Sequence, residues 1–135
     1  MKRTPLSKRS KKQTERKRLH AKAWKLMSQY VRMRDKACVT CGSTGTPQAG
    51  HFIHNKLDFN FKNINRQCSG CNNYKNGNLV KYAIYLQKLY GYDVIEELEI
   101  ESNIVKKLSI EDYEAIINNL EYLLCSTTQN GDRKT

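Results

Sequence analysis

Apolar residues at three- and four-residue steps, Leu19, Ala23, Leu26, Tyr30 and Met33, predict an amphipathic helix from about Gln13 to Asp35. Trp24, Met27 and Val31 widen its apolar stripe, while Lys17, Lys22, Lys25, Arg32 and Arg34 fall mostly elsewhere on the wheel. His20 reads as a surface or boundary residue rather than a ligand. Beyond Asp35 the helical period is lost. Gly42 to Gly45 is turn-rich, and Thr46 to Ile53 is a weak strand in which Pro47 argues against a central position. His54 to Asn65 reads as a loop or hairpin. A short helix is expected from Ser69 or Gly70 through Asn72, Tyr74 and Lys75, with Gly77 interrupting or ending it.

The helical period returns in Leu79, Ala83, Leu86 and Tyr90, followed by Gly91 at a plausible C′ position. Asp93 to Lys107 fits either one helix or a short helix and a linker. Ser109 is a good N-cap with Asp112 three residues on, and Ile110, Tyr113, Ile116, Ile117, Leu120 and Leu124 form the apolar side of the helix that follows. Residues 126–135 lack apolar content and are expected to fray. Residues 1–12 have no periodicity, and Pro5 with dense charge predicts a disordered basic arm.

At 135 residues the chain has room for one domain with tails. The expected organisation is an arm over 1–12, a basic helix and cysteine-bearing core over 13–91, a helical region over 92–125 and a tail over 126–135. No apolar run approaches the ~20 residues of a membrane span. The basic start, Met1-Lys2-Arg3, has no apolar stretch behind it, so a reducing cytoplasmic setting is expected.

Charge sharpens this picture. The net +11 is polarised: residues 1–36 hold 14 Lys/Arg against 2 Asp/Glu, whereas residues 91–135 hold 4 against 10. Such a distribution points to a polyanionic partner on the N-terminal side, most simply nucleic acid. Lys11, Lys12, Arg16, Lys17 and Arg18 are the phosphate contacts expected there.

Two C-x-x-C pairs, Cys38/Cys41 and Cys68/Cys71, carry the candidate chemistry. In a reducing compartment paired cysteines are metal ligands rather than disulfides. Four thiolates satisfy tetrahedral zinc and leave no open position, so the expected ion is structural. The 26 residues between the pairs exceed the usual ribbon spacing of about 15–20 and leave room for a β-hairpin. Cys125 stands apart and reads as a helix residue near the end of the core.

The segments C-x-x-C-G, Gly50-His51-Phe52-Ile53 and Asn63-Ile64-Asn65-Arg66-Gln67-Cys68-x-x-Cys71-Asn72-x-x-Lys75 resemble the HNH nucleases. More closely, AGHF, DFNFKNINRQC-x-x-CN and the following GN-x-x-x-Y resemble the NinG (Rap) recombination proteins of lambda-type phages, over about residues 35–91. The resemblance implies an α+β fold: a small zinc-stabilised ββα-metal (HNH/treble-clef) core flanked by the basic N-terminal helix and the C-terminal helices. It implies that His51 is the general base, that Asn63 braces the hairpin and that Asn72 contacts a catalytic Mg²⁺ or Mn²⁺. Arg66 and Lys75 become phosphate contacts.

One departure stands out. Many HNH enzymes have a metal-binding Asp immediately before the first His, where this chain has Gly50. Asp58 is the sole carboxylate between Lys36 and Tyr92 and is the first candidate to replace it, with His54 second. The activity implied is structure-selective endonuclease cleavage of branched recombination DNA, such as Holliday junctions and displacement loops. The alternative is a non-catalytic zinc module that binds DNA as a recombination accessory. Two-site cutting of junctions is compatible with a homodimer, although no dimer motif is present.

Overall fold

The computed structural model describes residues 8–104 and 106–131, with side chains over 11–104 and 106–126. Helix α1 spans Lys8–Arg34, strand β1 Pro47–His51 and strand β2 Ile64–Cys68. A single wide turn over Gly70–Tyr74 follows, then α2 (Leu79–Tyr90), α3 (Val94–Ser102) and α4 (Ile110–Gly131). The fold is therefore mixed, helical with one small sheet. Two compact units make it up: one of residues 8–26 and 107–131, the other Met27–Lys106.

In the first unit Leu19, Ala23, Ile117 and Leu120 are buried. His20 sits half-buried and meets the Tyr113 ring edge-on at 5.8 Å. The N-terminus of α4 closes as the sequence predicts: Asp112 N donates to Ser109 Oγ (3.1 Å), and Ser109 N donates back to Asp112 Oδ2 (2.9 Å). Two boundaries differ from expectation. Helix α1 is already formed at Lys8, ahead of the expected start at Gln13, and Lys, Arg and Gln sustain a helix there. Residues 8–12 are thus helical rather than disordered, and residues 1–7 lie outside those described. Similarly, α4 runs to Gly131, past the expected fraying point at 126, and residues 132–135 lie outside those described.

The buried line of α1 is Leu19, Ala23, Met27 and Val31, a strict four-residue repeat. Met33, placed in the predicted stripe, is exposed, and Leu26 and Tyr30 lie at its margin. A four-residue step overshoots a full helical turn at each repeat, so the buried face drifts along a long helix.

In the second unit the two strands pair antiparallel, with His51 opposite Ile64, Gly50 opposite Asn65 and Pro47 opposite Cys68. Helices α2 and α3 bury Tyr82, Leu86, Val94 and Leu98 together, and Phe52, Ile53 and Leu57 from the hairpin loop pack on that cluster. The buried face of α2 is centred on Tyr82 and Leu86; Leu79 and Tyr90, expected inside, are exposed. Asp93 to Lys107 resolves into the short helix α3 and a linker. Cys125, expected near the end of the core, is exposed on α4.

A polar network joins the end of α1 to β2. Arg34 grips the Asp35 carboxylate (2.8 and 2.9 Å) and also donates to Phe61 O, Ile64 O and Asn65 Oδ1. Asp35 Oδ2 accepts from Arg66 N at 3.0 Å. Arg66 in turn donates to Arg32 O, Asp35 O and Thr44 O. Carbonyls at a helix C-terminus lack intrahelical partners and carry partial negative charge, so a guanidinium there satisfies both needs.

Candidate metal centre and active site

The two cysteine pairs reach one point because each sits on a tight turn. In the first, Gly42 adopts φ +81° and its N–H donates to Cys38 O (2.8 Å), a left-handed conformation that suits glycine. Val39 N donates to Arg66 O (2.9 Å), tying that turn to β2. The second turn leaves the end of β2, where Cys71 N points at Cys68 Sγ (3.4 Å). All four sulfurs lie within 4.8 Å of one another. The Cys41 and Cys68 sulfurs are 3.6 Å apart, close to the roughly 3.8 Å edge of a tetrahedron with Zn–S bonds of about 2.3 Å. Among the described residues this is the one group of three or more His, Cys, Asp or Glu side chains placed to share an ion.

The electrostatics suit a dication. Burial pushes the Cys38 thiol up, but hydrogen bonds from the Thr40 hydroxyl and from the backbone of Cys68, Thr40 and Cys41 outweigh it and bring it down to about 6. At Cys41 a backbone hydrogen bond with Ser43 favours the thiolate, yet burial and the sulfurs of Cys38, Cys68 and Cys71 prevail and push it up to about 12. Sulfurs this close cannot all carry charge unless a cation sits among them. Thr40 Oγ1, 3.2 Å from Cys38 Sγ, and Asn78 Nδ2, 3.6 Å from Cys71 Sγ, support the sulfurs from outside.

His51 closes β1. Its Nε2 lies 2.9 Å from Asp58 Oδ1, with the side chains 20% and 28% exposed. The loop that brings Asp58 back is held by Asn63, which is fully buried. Asn63 Oδ1 accepts from Ile53 N (2.8 Å), and its Nδ2 faces the carbonyls of Ile53 (3.2 Å) and Lys56 (3.0 Å). Its own N–H and that of Lys62 are caught by Asn60 Oδ1. Asn63 thus braces the hairpin from inside.

Tyr82 adds a second brace. Its hydroxyl donates toward Gly50 O (2.8 Å) and Asn63 O (3.2 Å) and accepts from Asn65 Nδ2 (2.9 Å). Burial pushes the phenol well above its ordinary range, which keeps it a donor. Tyr82 is the Tyr of the GN-x-x-x-Y segment, so the motif marked it without showing its partners.

Gly50 is explained by Gln67. A side chain on Gly50 would meet Gln67 Oε1 within 1.9 Å and Cδ within 2.7 Å. Gln67 Nε2 is held by Gly77 O (2.8 Å) and Thr40 Oγ1 (3.2 Å), which fixes the amide orientation. Its Oε1 is buried without a conventional donor and faces the Gly50 Cα–H, a weak donor. The space that a side chain before His51 would need is therefore filled by a buried amide from β2. Through Thr40 the same amide reaches the cysteine cluster.

The remaining sequence candidates separate. Asn72 sits on the wide turn, which lasts only five residues, and its Nδ2 donates to Gln48 Oε1 (2.9 Å). His54 is exposed and lies against Gly77. Arg66 donates to three backbone carbonyls, the geometry of a helix-end clamp. Lys75, Lys11, Lys12 and Lys17 are exposed, and Arg16 is half-buried. Arg18 is paired with Glu15 at 2.6 Å on the surface. No helix among the described residues is long and apolar enough to cross a membrane.

Comparison with known proteins bears on these features. The family model described as NinG, bacteriophage lambda NinG protein, matches residues 1–129. Protein ninG of Escherichia phage lambda is 34% identical over 102 residues, which cover 70% of this chain and 50% of that protein. Protein ninG of Escherichia phage 933W is 34% identical over 89 residues (60% and 44%), and that of Salmonella phage P22 is 34% identical over 85 (57% and 42%). The chain spans about half the length of the curated relatives it matches. No solved structure matches it. With the family model covering nearly all of its length, the chain belongs to the family of bacteriophage lambda NinG proteins.

Proposed function

We propose that this chain is a metal-dependent endonuclease of the HNH kind, selective for branched recombination DNA such as Holliday junctions and displacement loops. The observation that carries the reading is the pairing of His51 with Asp58 on a hairpin braced by Asn63, the second strand of which ends in the cysteine cluster. The likeness of the His51, Asn63 and Asn72 segments to HNH nucleases supports it.

In this reading the cysteine cluster holds zinc and acts as scaffold alone, since four sulfurs leave no open position. His51 takes the proton from the attacking water as its oxygen bonds to phosphorus, and the opposite P–O bond breaks. Asp58 holds the imidazole in one orientation, and Asn63 and Tyr82 keep the strands beneath it still. A bound Mg²⁺ or Mn²⁺ would stabilise charge on the phosphate and the leaving oxygen. Asn72 is the residue available on the wide turn to contact it. With so few protein oxygens, water and phosphate would complete its shell, as Mg²⁺ commonly requires. The basic face of α1 supplies sequence-independent contacts to phosphates, which suits selection by DNA shape rather than by bases.

One observation favours the second reading, a zinc module that binds recombination DNA without cutting it: Gln67 fills the space of the carboxylate before His51. A labelled four-way junction with Mg²⁺ or Mn²⁺ separates the two. Cleavage by the wild-type chain that His51→Ala abolishes supports the nuclease. Binding with no cleavage above His51→Ala supports the accessory protein.

A further inference from the structure

We propose that the ring of Tyr74 is a stacking platform for an unpaired nucleobase of branched DNA. Tyr74 is 87% exposed, the highest value among the exposed large apolar side chains described. Single exposed aromatics need no explanation in general. This one differs in what it stands on.

Its backbone belongs to the turn that carries Cys71. Lys75 N donates to Gly70 O (3.0 Å) across the turn, and Gly77 N donates to Cys71 O (2.8 Å) just beyond it. The side chains of Asn72 and Asn73, immediately before Tyr74, both donate to Gln48 Oε1 on β1. The ring is thus mounted on a pedestal fixed to the sheet and to the cysteine cluster, while its own faces meet water. A rigid aromatic ring presented this way loses little entropy when a base stacks on it.

Charge points to the occupant. Between Asp58 and Asp93 the chain has no acidic residue; of the five cations in that span Arg66 is taken by backbone carbonyls and Lys62 faces Glu97 (3.8 Å), which leaves Lys75, Lys81 and Lys88. Lys75, next to Tyr74, and Lys81 are exposed. Proteins hold single-stranded nucleic acid where cations take the phosphates and an aromatic ring takes the base, and Lys75, the next residue in the chain, supplies one such cation. Tyr74 lies two residues past Asn72, about 7 Å of chain at most, so a base stacked there brings the branch close to the proposed active site. Paired bases inside a duplex offer no free face, so the ring would distinguish a branch point from continuous duplex.

The inference rests on the DNA reading above and not on cleavage. The test uses the full chain, without added Mg²⁺ or Mn²⁺, and a forked DNA carrying 2-aminopurine at the unpaired branch position. A continuous duplex of the same sequence is the control. Wild type is expected to quench the fork probe. Tyr74→Ala is expected to lose the quench and to bind the fork about tenfold more weakly, with duplex affinity and thermal melting unchanged. Tyr74→Phe and Tyr74→Trp should retain both signals. Equal weakening on fork and duplex, or no change on either, would overturn the stacking role. Cleavage need not be measured, so a chain that stacks but never cuts refutes the nuclease reading alone. A chain that cuts while Tyr74→Ala stacks normally refutes this proposal alone.

Discussion

His51 Nε2 and Asp58 Oδ1 stand 2.9 Å apart although the two residues are seven positions apart in the chain, because Asn63 folds the intervening loop back on the strand. Under the proposed nuclease reading Asp58 has two competing jobs, orienting the imidazole or binding the ion, and they respond differently to substitution. If it orients His51, Asp58→Ala lowers junction cleavage toward the His51→Ala level, the double variant is no worse than either, and excess Mg²⁺ does not rescue it. If it is mainly an ion ligand, raising Mg²⁺ restores much of the rate. We expect no rescue, and cleavage rates across a Mg²⁺ titration decide the matter.

The cysteine cluster predicts one zinc per chain by elemental analysis, and loss of cooperative folding of the Met27–Lys106 unit in Cys68→Ser. It also predicts a pH response. Zinc must displace protons from thiols that are still protonated. Cys38, at about 6, is already largely ionised at pH 7, while Cys41, at about 12, is not. Zinc binding at pH 7 should therefore release fewer than four protons, and affinity should fall with pH already at neutrality and more steeply below about 6. In the metal-free chain Cys38 lies below its ordinary 9.0, so its stabilising effect is present at high pH and is lost as pH falls through about 6. Calorimetric zinc titrations in buffers of different ionisation enthalpy give the proton count. A pH-independent affinity would contradict thiolate ligation.

The Gly50 and Gln67 contact predicts a conditional defect. Gly50→Ala drives a methyl into a buried amide that two hydrogen bonds hold in place, and should cost about 1–3 kcal/mol. Gly50→Asp adds an unpaired buried charge and should cost more. Adding Gln67→Ala should recover part of the loss in Gly50→Ala, since it removes the obstruction. Urea denaturation of the two single variants and the double variant measures the coupling, and strict additivity would show that the side chains do not meet.

Much of this was legible in the chain. The paired cysteines announced their cluster, the hairpin between them and the Ser109/Asp112 cap formed as expected, and Gly91 ends α2 by donating to Gln87 O. What escaped were features set by tertiary contact. Periodicity marks a helix face only to within a residue or so, hence Tyr82 and not Leu79 lies inside α2. A charged side chain looks the same in sequence whether it meets phosphate or a helix end, so the clamp that Arg66 makes on Arg32 O and Asp35 O was not legible. Gly50 reads as a missing ligand because Gln67, which needs its space, lies on the other strand. Positions 50 and 67 approach only after β1 and β2 pair in register.

Tyr82 predicts a stability effect that should reach the proposed site. Tyr82→Phe keeps the ring in the core but removes the hydroxyl shared by Gly50 O, Asn63 O and Asn65 Nδ2. Losing these buried hydrogen bonds should cost about 1–3 kcal/mol. Since those carbonyls lie at Gly50 on β1 and at Asn63 just before β2, amide exchange at residues 50–53 and 63–65 should rise more than in α4. Uniform exchange across the chain would show that the hydroxyl is not a local brace.

The basic residues predict opposite signatures according to where their charge is spent. Lys11, Lys12 and Lys17 are exposed on α1, and replacing all three by Ala should weaken DNA binding while leaving thermal stability nearly unchanged. Removing one phosphate-bound cation flattens the slope of log K against log salt by about 0.9, so the triple variant should show a slope shallower by about 2–3 units. Arg66→Ala should do the reverse. Its guanidinium satisfies Arg32 O, Asp35 O and Thr44 O, so its removal frees the end of α1 and should lower stability by about 1–3 kcal/mol. At temperatures where that variant is folded, its salt slope should match wild type. A flattened slope in Arg66→Ala with unchanged melting would return Arg66 to the DNA interface, where its sequence motif first suggested it.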